Sequence, residues 1–244
     1  MRWPLIIRLL VLALLIAFLV SPESFAFLLR PLIKNGQPAI YDRGSLWSLT
    51  LSHLAITFAA TTMATIVALS LAILVTRPFG AEFLPLSRSL ANIGQTFPPV
   101  AVLALAVPIL GFGNAPTLMA LFLYGLLPIF ENSLTGLTTV PPAITMAARG
   151  MGMTGMQRLT RVELPLALPV ILGGVRLSTV ISLATATIGS TVAARTLGEI
   201  IIAGLAASNT AFVMQGGLIV TALAVLIYDG LSALERFFVA CTRT

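Results

Sequence analysis

The sequence predicts an all-α polytopic membrane protein, a bundle of about six spans, and three observations lead there. Of 244 residues, 58% are hydrophobic and only 9% are charged, against roughly 25% charged in an ordinary soluble domain. Mean hydropathy is +1.03. The apolar residues gather into stretches of about 20, the length a helix needs to cross a hydrocarbon core about 30 Å thick. A water-soluble fold has no interior large enough for that much apolar surface, so lipid is the solvent for most of the chain.

The first span runs from about Leu9 to Val20, behind Arg2 and Arg8. It reads as an uncleaved span. The competing reading is a secretory signal peptide cleaved near Ser24-Phe25-Ala26, since a basic start and an apolar middle are shared by both. The second extends from about Leu49 to Val75 and ends at Thr76-Arg77-Pro78. The third covers about Leu90 to Leu110, where Pro98, Pro99 and Pro108 predict kinks, because proline removes a helix donor and crowds the preceding turn. The fourth runs from about Pro116 to Phe130, the fifth from about Leu166 to Ile188, and the sixth from about Phe212 to Leu231. No repeat and no Gly/Ser-rich linker divides the chain, so 1–244 reads as one domain with a core over about 49–231.

The net charge is +6, from 14 Lys+Arg against 8 Asp+Glu. In a membrane chain that excess is first an orientation signal. With the amino terminus inside, Arg2, Arg8, Arg77, Arg88, Arg149, Arg158, Arg161, Arg236 and Arg243 face the cytoplasm, and Arg30, Lys34, Arg43 and Arg195 face outward. Both termini are therefore expected in the cytoplasm. There is no basic run of the kind that binds nucleic acid. One cysteine, Cys241, and one histidine, His53, can build neither a disulfide nor a Cys/His metal cluster. No Gly-x-x-x-x-Gly-Lys-[Ser/Thr] phosphate loop occurs, so the chain is expected to be no enzyme and to bind no cofactor, with ATP hydrolysed elsewhere.

The segment from about Glu131 to Leu164 is too long for a turn. Pro141-Pro142 starts a helix, as proline suits a first helical turn. Ile144, Ala147, Ala148 and Met151 fall on one face, and Gly150 and Gly152 end or bend the run. A second short helix is expected from about Gly155 to Val162, stopping at Pro165. From periodicity alone this element reads equally well as an amphipathic helix resting on headgroups.

Its spacing carries more. Ala147-Ala148, three residues, Gly152, nine residues, then Val162-Glu163-Leu164-Pro165 resembles the Glu-Ala-Ala coupling loop of ABC importer permeases, the type I, MetI-like architecture. The wider text, Ala148-Arg149-Gly150-Met151-Gly152-Met153 with Leu164-Pro165-Leu166-Ala167-Leu168-Pro169, is similar to the branch for glycine betaine, carnitine and choline. So are Gln95-Thr96-Phe97-Pro98-Pro99, Leu123-Tyr124-Gly125-Leu126-Leu127-Pro128-Ile129 and Ala184-Thr185-Ala186-Thr187-Ile188-Gly189. The likeness runs from about His53 to the end of the sixth span.

The resemblance implies a multi-pass permease of a bacterial cytoplasmic (inner) membrane that imports osmoprotectants. Its loop, about 138–165, would dock through Met146, Ala147, Ala148, Gly150, Gly152, Val162, Leu164 and Pro165 on a cytoplasmic ATPase dimer. Pro165 would stiffen the junction with span five. The other implied partners are a second permease and a periplasmic or extracellular substrate-binding protein. Three departures stand out. Met146 occupies the family's glutamate position, Glu131 precedes Asn132 where the branch has arginine, and Arg195-Thr196-Leu197-Gly198 replaces a glycine-rich stretch. They favour a second permease that is not identical to this one, with a homodimer as the alternative.

Polar residues within the spans have two readings each. Arg176 is a possible path or gate residue, or it snorkels and anchors helix ends. Thr57, Thr61, Thr62 and Thr65, and Ser178, Thr179, Ser182, Thr185 and Thr187, either pack helices or wet a path, with Thr185 and Thr187 the possible path residues. His53 reads as an interfacial, hydrogen-bonded side chain. Trp3, Trp47, Tyr41, Tyr124 and Tyr228 form no visible aromatic cage, which places selectivity on the binding protein. Competing functions are a permease for an amino acid or metal complex, an ion-driven secondary transporter and a membrane scaffold. The secondary transporter is disfavoured, since no acid interrupts a predicted span core.

Overall fold

A computed structural model describes residues 5–34 and 36–241; Arg2, Trp3 and Arg243, used in the charge and aromatic readings, lie outside them. Among the described residues there is no strand. Four helical stretches are long and apolar enough to cross a membrane, or six if two broken pairs each count as one span.

Helix α1 (Leu5–Val20) is apolar apart from Arg8, and the chain turns by 114° into the short turns of Pro22–Leu32. Helix α2 spans Leu46–Val75. The expected third span is not one kinked helix. It is two, α3 (Leu84–Thr96) and α4 (Pro99–Leu110), separated by Phe97 and Pro98 with extended backbone, ψ 139° and 140°. A residue before proline is pushed out of the α region, and here that restriction applies twice in a row, so the helix stops instead of bending. Pro108 stays inside α4 near its end.

Helix α5 (Asn114–Thr138) continues well past the expected end at Phe130. Helix α6 (Pro142–Gly150) follows, then a turn over Gly155–Arg158, a π turn over Leu159–Glu163, and α7 (Leu164–Thr185). The helix expected to stop at Pro165 does not stop. In the π turn the Leu164 N–H reaches back five residues to the Leu159 carbonyl, and this wider winding lets the chain pass a proline that has no N–H to give. After a 3₁₀ stretch (Ala186–Val192) comes α8 (Gly198–Ala206), which the sequence reading did not contain, and last α9 (Thr210–Cys241).

The described residues divide into two compact units. One gathers residues up to 59 with 98–121 and 182–228; the other gathers 60–97, 122–181 and 229 onward. In the first, Leu15 and Leu19 pack with Leu46, Leu49, Leu197, Ile200, Phe212 and Ile219. His53 lies in this unit and is fully buried, and it is hydrogen-bonded as expected. Its Nδ1 accepts from the Leu197 N–H at 3.4 Å and its Nε2 stands 3.1 Å from the Leu183 carbonyl. The proton therefore sits on Nε2, and a neutral ring ties two backbone segments.

The second unit is built on a stripe of alanines. Ala60, Ala64, Ala68 and Ala72 recur every fourth residue along α2 and have zero exposure. Ala64, Ala68 and Ala72 pack with Ile129, Phe130, Leu134, Ala167 and Ile171. Without a hydrophobic drive between helices in lipid, small side chains that let backbones approach supply the contact. Gly94 shows the limit: a Cβ there would lie 2.1 Å from the Leu123 carbonyl oxygen. Large apolar side chains such as Ile66, Leu105 and Ile109 are exposed.

Candidate functional site

The loop that carries the Ala-Ala…Gly spacing lies wholly in the second unit. Pro141 and Pro142 start α6, and the helix ends at Gly150. Gly152 has φ +78°, a conformation that costs other L-residues roughly 1–2 kcal/mol. Its N–H donates to the Arg149 carbonyl at 2.9 Å, and the Met153 N–H donates to the Ala148 carbonyl at 3.1 Å. These two bonds are the Schellman pair, which satisfies the helix's last carbonyls. The chain then starts the next helix at once. Thr154 Oγ1 accepts from the Gln157 N–H at 3.3 Å, and the Thr154 N–H donates to Gln157 Oε1 at 2.9 Å, a reciprocal capping box. Met153 alone separates the two devices. The result is an elbow fixed by backbone hydrogen bonds.

Its outward surface is soft and basic. Ile144 is 40% exposed, Met146 63%, Met151 71% and Met156 70%; Ala147, Gly150, Gly152, Arg149 and Arg161 are also exposed, whereas Ala148 is buried. The apolar face expected from periodicity is thus presented outward, apart from Ala148. Val162, Leu164 and Pro165 are half-buried where the elbow enters α7.

Beneath the elbow sits a charged centre that the sequence reading did not assemble. Glu163, nearly buried, accepts from Arg77 Nη2 at 2.5 Å on one oxygen and from Arg158 Nε at 3.1 Å on the other. Arg77 lies two residues past the end of α2 and Arg158 belongs to the elbow, so one carboxylate clamps the two. With Arg149, Thr138 and Thr145, these groups line a cavity of about 470 Å³. A second clamp joins Arg88 of α3 to Glu131 of α5, Nε donating to Oε1 at 2.6 Å and Nη2 to Oε2 at 3.1 Å. The departure at Glu131 thus has a partner.

Arg176 is placed as a helix anchor. Its Nη1 donates to Glu235 Oε2 at 2.6 Å and to Ser232 Oγ at 2.8 Å, joining α7 to α9. Glu235 escaped notice because the sixth span was ended at Leu231. Thr185 and Thr187 belong to the first unit; both are half-buried, and Thr187 Oγ1 donates to the Ala184 carbonyl at 2.7 Å. Thr57 and Thr65 likewise donate to carbonyls one turn back in their own helix. Thr57, Thr61, Ser178, Thr179 and Ser182 are buried and Thr62 is exposed. Among the described residues no group of three His, Cys, Asp or Glu side chains could hold a metal ion.

With this geometry in view, comparison with known proteins is decisive. Residues 68–236 match the family of binding-protein-dependent transport system inner membrane components. An osmoprotectant import permease protein of Salmonella typhimurium is 41% identical over 181 residues, 74% of this chain and 76% of that protein. The chain belongs to this family of ABC importer permeases. A glycine betaine/carnitine/choline transport system permease protein of Bacillus subtilis is 36% identical to the permease over 205 residues, 83% of this chain and 89% of the relative. Among solved structures, an inward-facing form of the MetNI methionine ABC transporter superposes with a TM-score of 0.70 at 23% identity, covering 79% of the permease and 95% of that chain. That likeness is one of fold. The permease is therefore a multi-pass inner-membrane subunit of MetI type, and a non-enzymatic one by family.

Proposed function

We propose that the permease forms the path of an ATP-driven importer for osmoprotectants such as glycine betaine, choline or carnitine. The observation that carries this reading is the identity of 36–41% with osmoprotectant permeases over about three quarters of the chain or more. The whole chain works as one permease domain, with both termini in the cytoplasm. The elbow over about 138–165 docks on a separate ATPase subunit, and ATP binding there moves α5 and α7 through it. A rigid corner transmits displacement, whereas a flexible loop would absorb it. The soft methionine surface suits a groove on the partner, since thioethers adapt to irregular apolar contacts.

Met146 removes the carboxylate that the family's loop offers, so the second permease in the complex is a different chain that keeps it. Two separately named permease proteins of one Bacillus subtilis transport system both resemble this chain, which supports a pair of unlike permeases. A substrate-binding protein outside the membrane supplies affinity. Arg176, Thr185 and Thr187 remain the proposed path or gate positions, with Arg176 acting through its hold on α9.

Purifying the tagged permease from native membranes and identifying its companions tests the assembly. An ATPase, a second permease and a binding protein are expected. The purified complex in liposomes should accumulate labelled glycine betaine, choline or carnitine only with ATP present. Uptake by the isolated chain without ATP overturns the proposal.

A further inference from the structure

We infer that a small pocket beside Tyr41 is a binding site for a small zwitterion that carries a methylated ammonium group and a carboxylate. The inference rests on the osmoprotectant reading above and adds the residues that meet the solute. The pocket is an open recess of about 290 Å³ lined by Tyr41, Arg43, Ser190, Glu199, Ile202 and Ala203 among others. It lies within the first unit.

Its walls are fixed from behind. Tyr41 is 4% exposed, and its ring meets Phe212 edge-on at 5.4 Å. The Tyr41 N–H donates to Gln215 Oε1 at 3.2 Å, and Gln215 Nε2 donates in turn to the Ala39 carbonyl at 2.7 Å. Glu199 stands in the first turn of α8, where Gly198 is pressed so closely on the Thr187 carbonyl that a Cβ would lie 1.8 Å from its oxygen. Tyr41 donates to Glu199 Oε1 at 2.6 Å. Burial first, and then the Glu199 carboxylate, pushes the phenol pKa above its ordinary value, so Tyr41 remains the donor in that bond at physiological pH.

The charge pattern selects the ligand. Glu199 and Arg43 line the same small space, yet no ion pair within 4.0 Å joins them. Opposite charges held apart in one pocket match a molecule whose own opposite charges are a few bonds apart. A quaternary ammonium donates no hydrogen bond and is recognised by a negative field, an aromatic ring and apolar contact. Glu199 supplies the field and the Ile202 and Ala203 side chains the apolar contact, with the largely buried Tyr41 ring as a wall. A carboxylate is recognised by a guanidinium, and Arg43 supplies that. A methylated cation with no carboxylate engages only half of the pocket.

The test uses the complete transporter, with its ATPase and binding protein, in liposomes loaded with ATP. Labelled glycine betaine and choline serve as probes at saturating binding protein. Arg43 is exposed, and Arg43→Gln should lower glycine betaine uptake about fivefold while lowering choline uptake less than about twofold, the scale of one partly solvated charge contact. Glu199→Gln, which keeps an acceptor for Tyr41, should lower both about tenfold. Thermal unfolding of each purified complex reports folding separately. A purely bracing role for these residues would depress both solutes alike in both variants, and that result overturns the site. Unchanged uptake in Glu199→Gln overturns it as well, while leaving the osmoprotectant reading intact. A wild-type complex that carries neither probe removes both.

Discussion

Glu163→Gln isolates the charge that holds the elbow in its seat. The carboxylate side chain is 8% exposed, and the two arginines it binds are 17% and 16% exposed in theirs. Glutamine keeps the shape and one acceptor oxygen. It also turns an NH₂ group toward the second guanidinium and leaves two arginines with no anion between them. Breaking a buried ion pair by removing one partner costs about 3–5 kcal/mol. The arginines retain some water, so the lower end applies, about 3 kcal/mol. At about 2–4 °C per kcal/mol for a chain of this size, the unfolding midpoint falls by about 6–12 °C. The assay is fluorescence-monitored melting of the detergent-solubilised complex, paired with solute carried per ATP hydrolysed in liposomes. The coupling ratio should fall with the melting temperature, because Arg77 lies in the turn that follows α2 and Arg158 in the elbow. Replacing all three charged side chains by apolar ones of similar size (Arg77→Met, Arg158→Met, Glu163→Leu) should recover most of the stability, as no charge is then left buried. Melting of Glu163→Gln within about 2 °C of wild type would refute the reasoning, as would a triple variant less stable than the single one.

Gly152→Val places a branched side chain at φ +78° with open space around it, so backbone strain of at least roughly 1–2 kcal/mol is its whole cost; hydrolysis should continue while uptake per ATP falls, and normal coupling would tell against docking. Thr154→Ala removes the cap on the elbow's second helix and should destabilise by about 1 kcal/mol, read from hydrogen exchange over 155–158. A double-mutant cycle on Arg176 and Glu235, whose side chains are about one-quarter exposed, should give a coupling of about 1–2 kcal/mol in melting experiments; no coupling would return Arg176 to the role of a snorkelling side chain. Gly198→Ala drives a Cβ into the Thr187 carbonyl and should abolish accumulation of folded protein in membranes, checked by size-exclusion profile.

The long spans were legible because hydropathy over about 20 residues is a strong signal; α2 falls close to its expected limits, whereas α9 starts where expected and runs on past Leu231 to Cys241. The elbow's turn was legible too, since Gly150 and Gly152 mark a helix end by backbone chemistry. Pro98-Pro99 was read as a kink because each proline was weighed singly, and only their succession stops a helix. Helix α8 was missed. Nine residues in a chain that is apolar almost everywhere give no contrast against their flanks. The Thr154-x-x-Gln157 box could have been read, being a local pattern with a known mechanism. The Arg77–Glu163 and Arg176–Glu235 pairs could not, because partners 86 and 59 residues apart leave no trace in local spacing; only Arg158, five residues before Glu163, is local. That His53 carries hydrogen bonds was legible, but its partners were not, because the Leu183 and Leu197 backbone groups are brought near only by the fold.

The corner between α6 and the next helix owes its angle to main-chain bonds at Ala148, Arg149, Gly152 and Met153 and to one threonine–glutamine exchange. None of the outward methionines takes part in setting that angle. Shape and lettering are thereby separable: the exposed side chains can be rewritten to suit a different motor while the corner stays as stiff as before. An engineer wishing to retarget this subunit to a foreign engine would leave those few positions untouched and recode the rest.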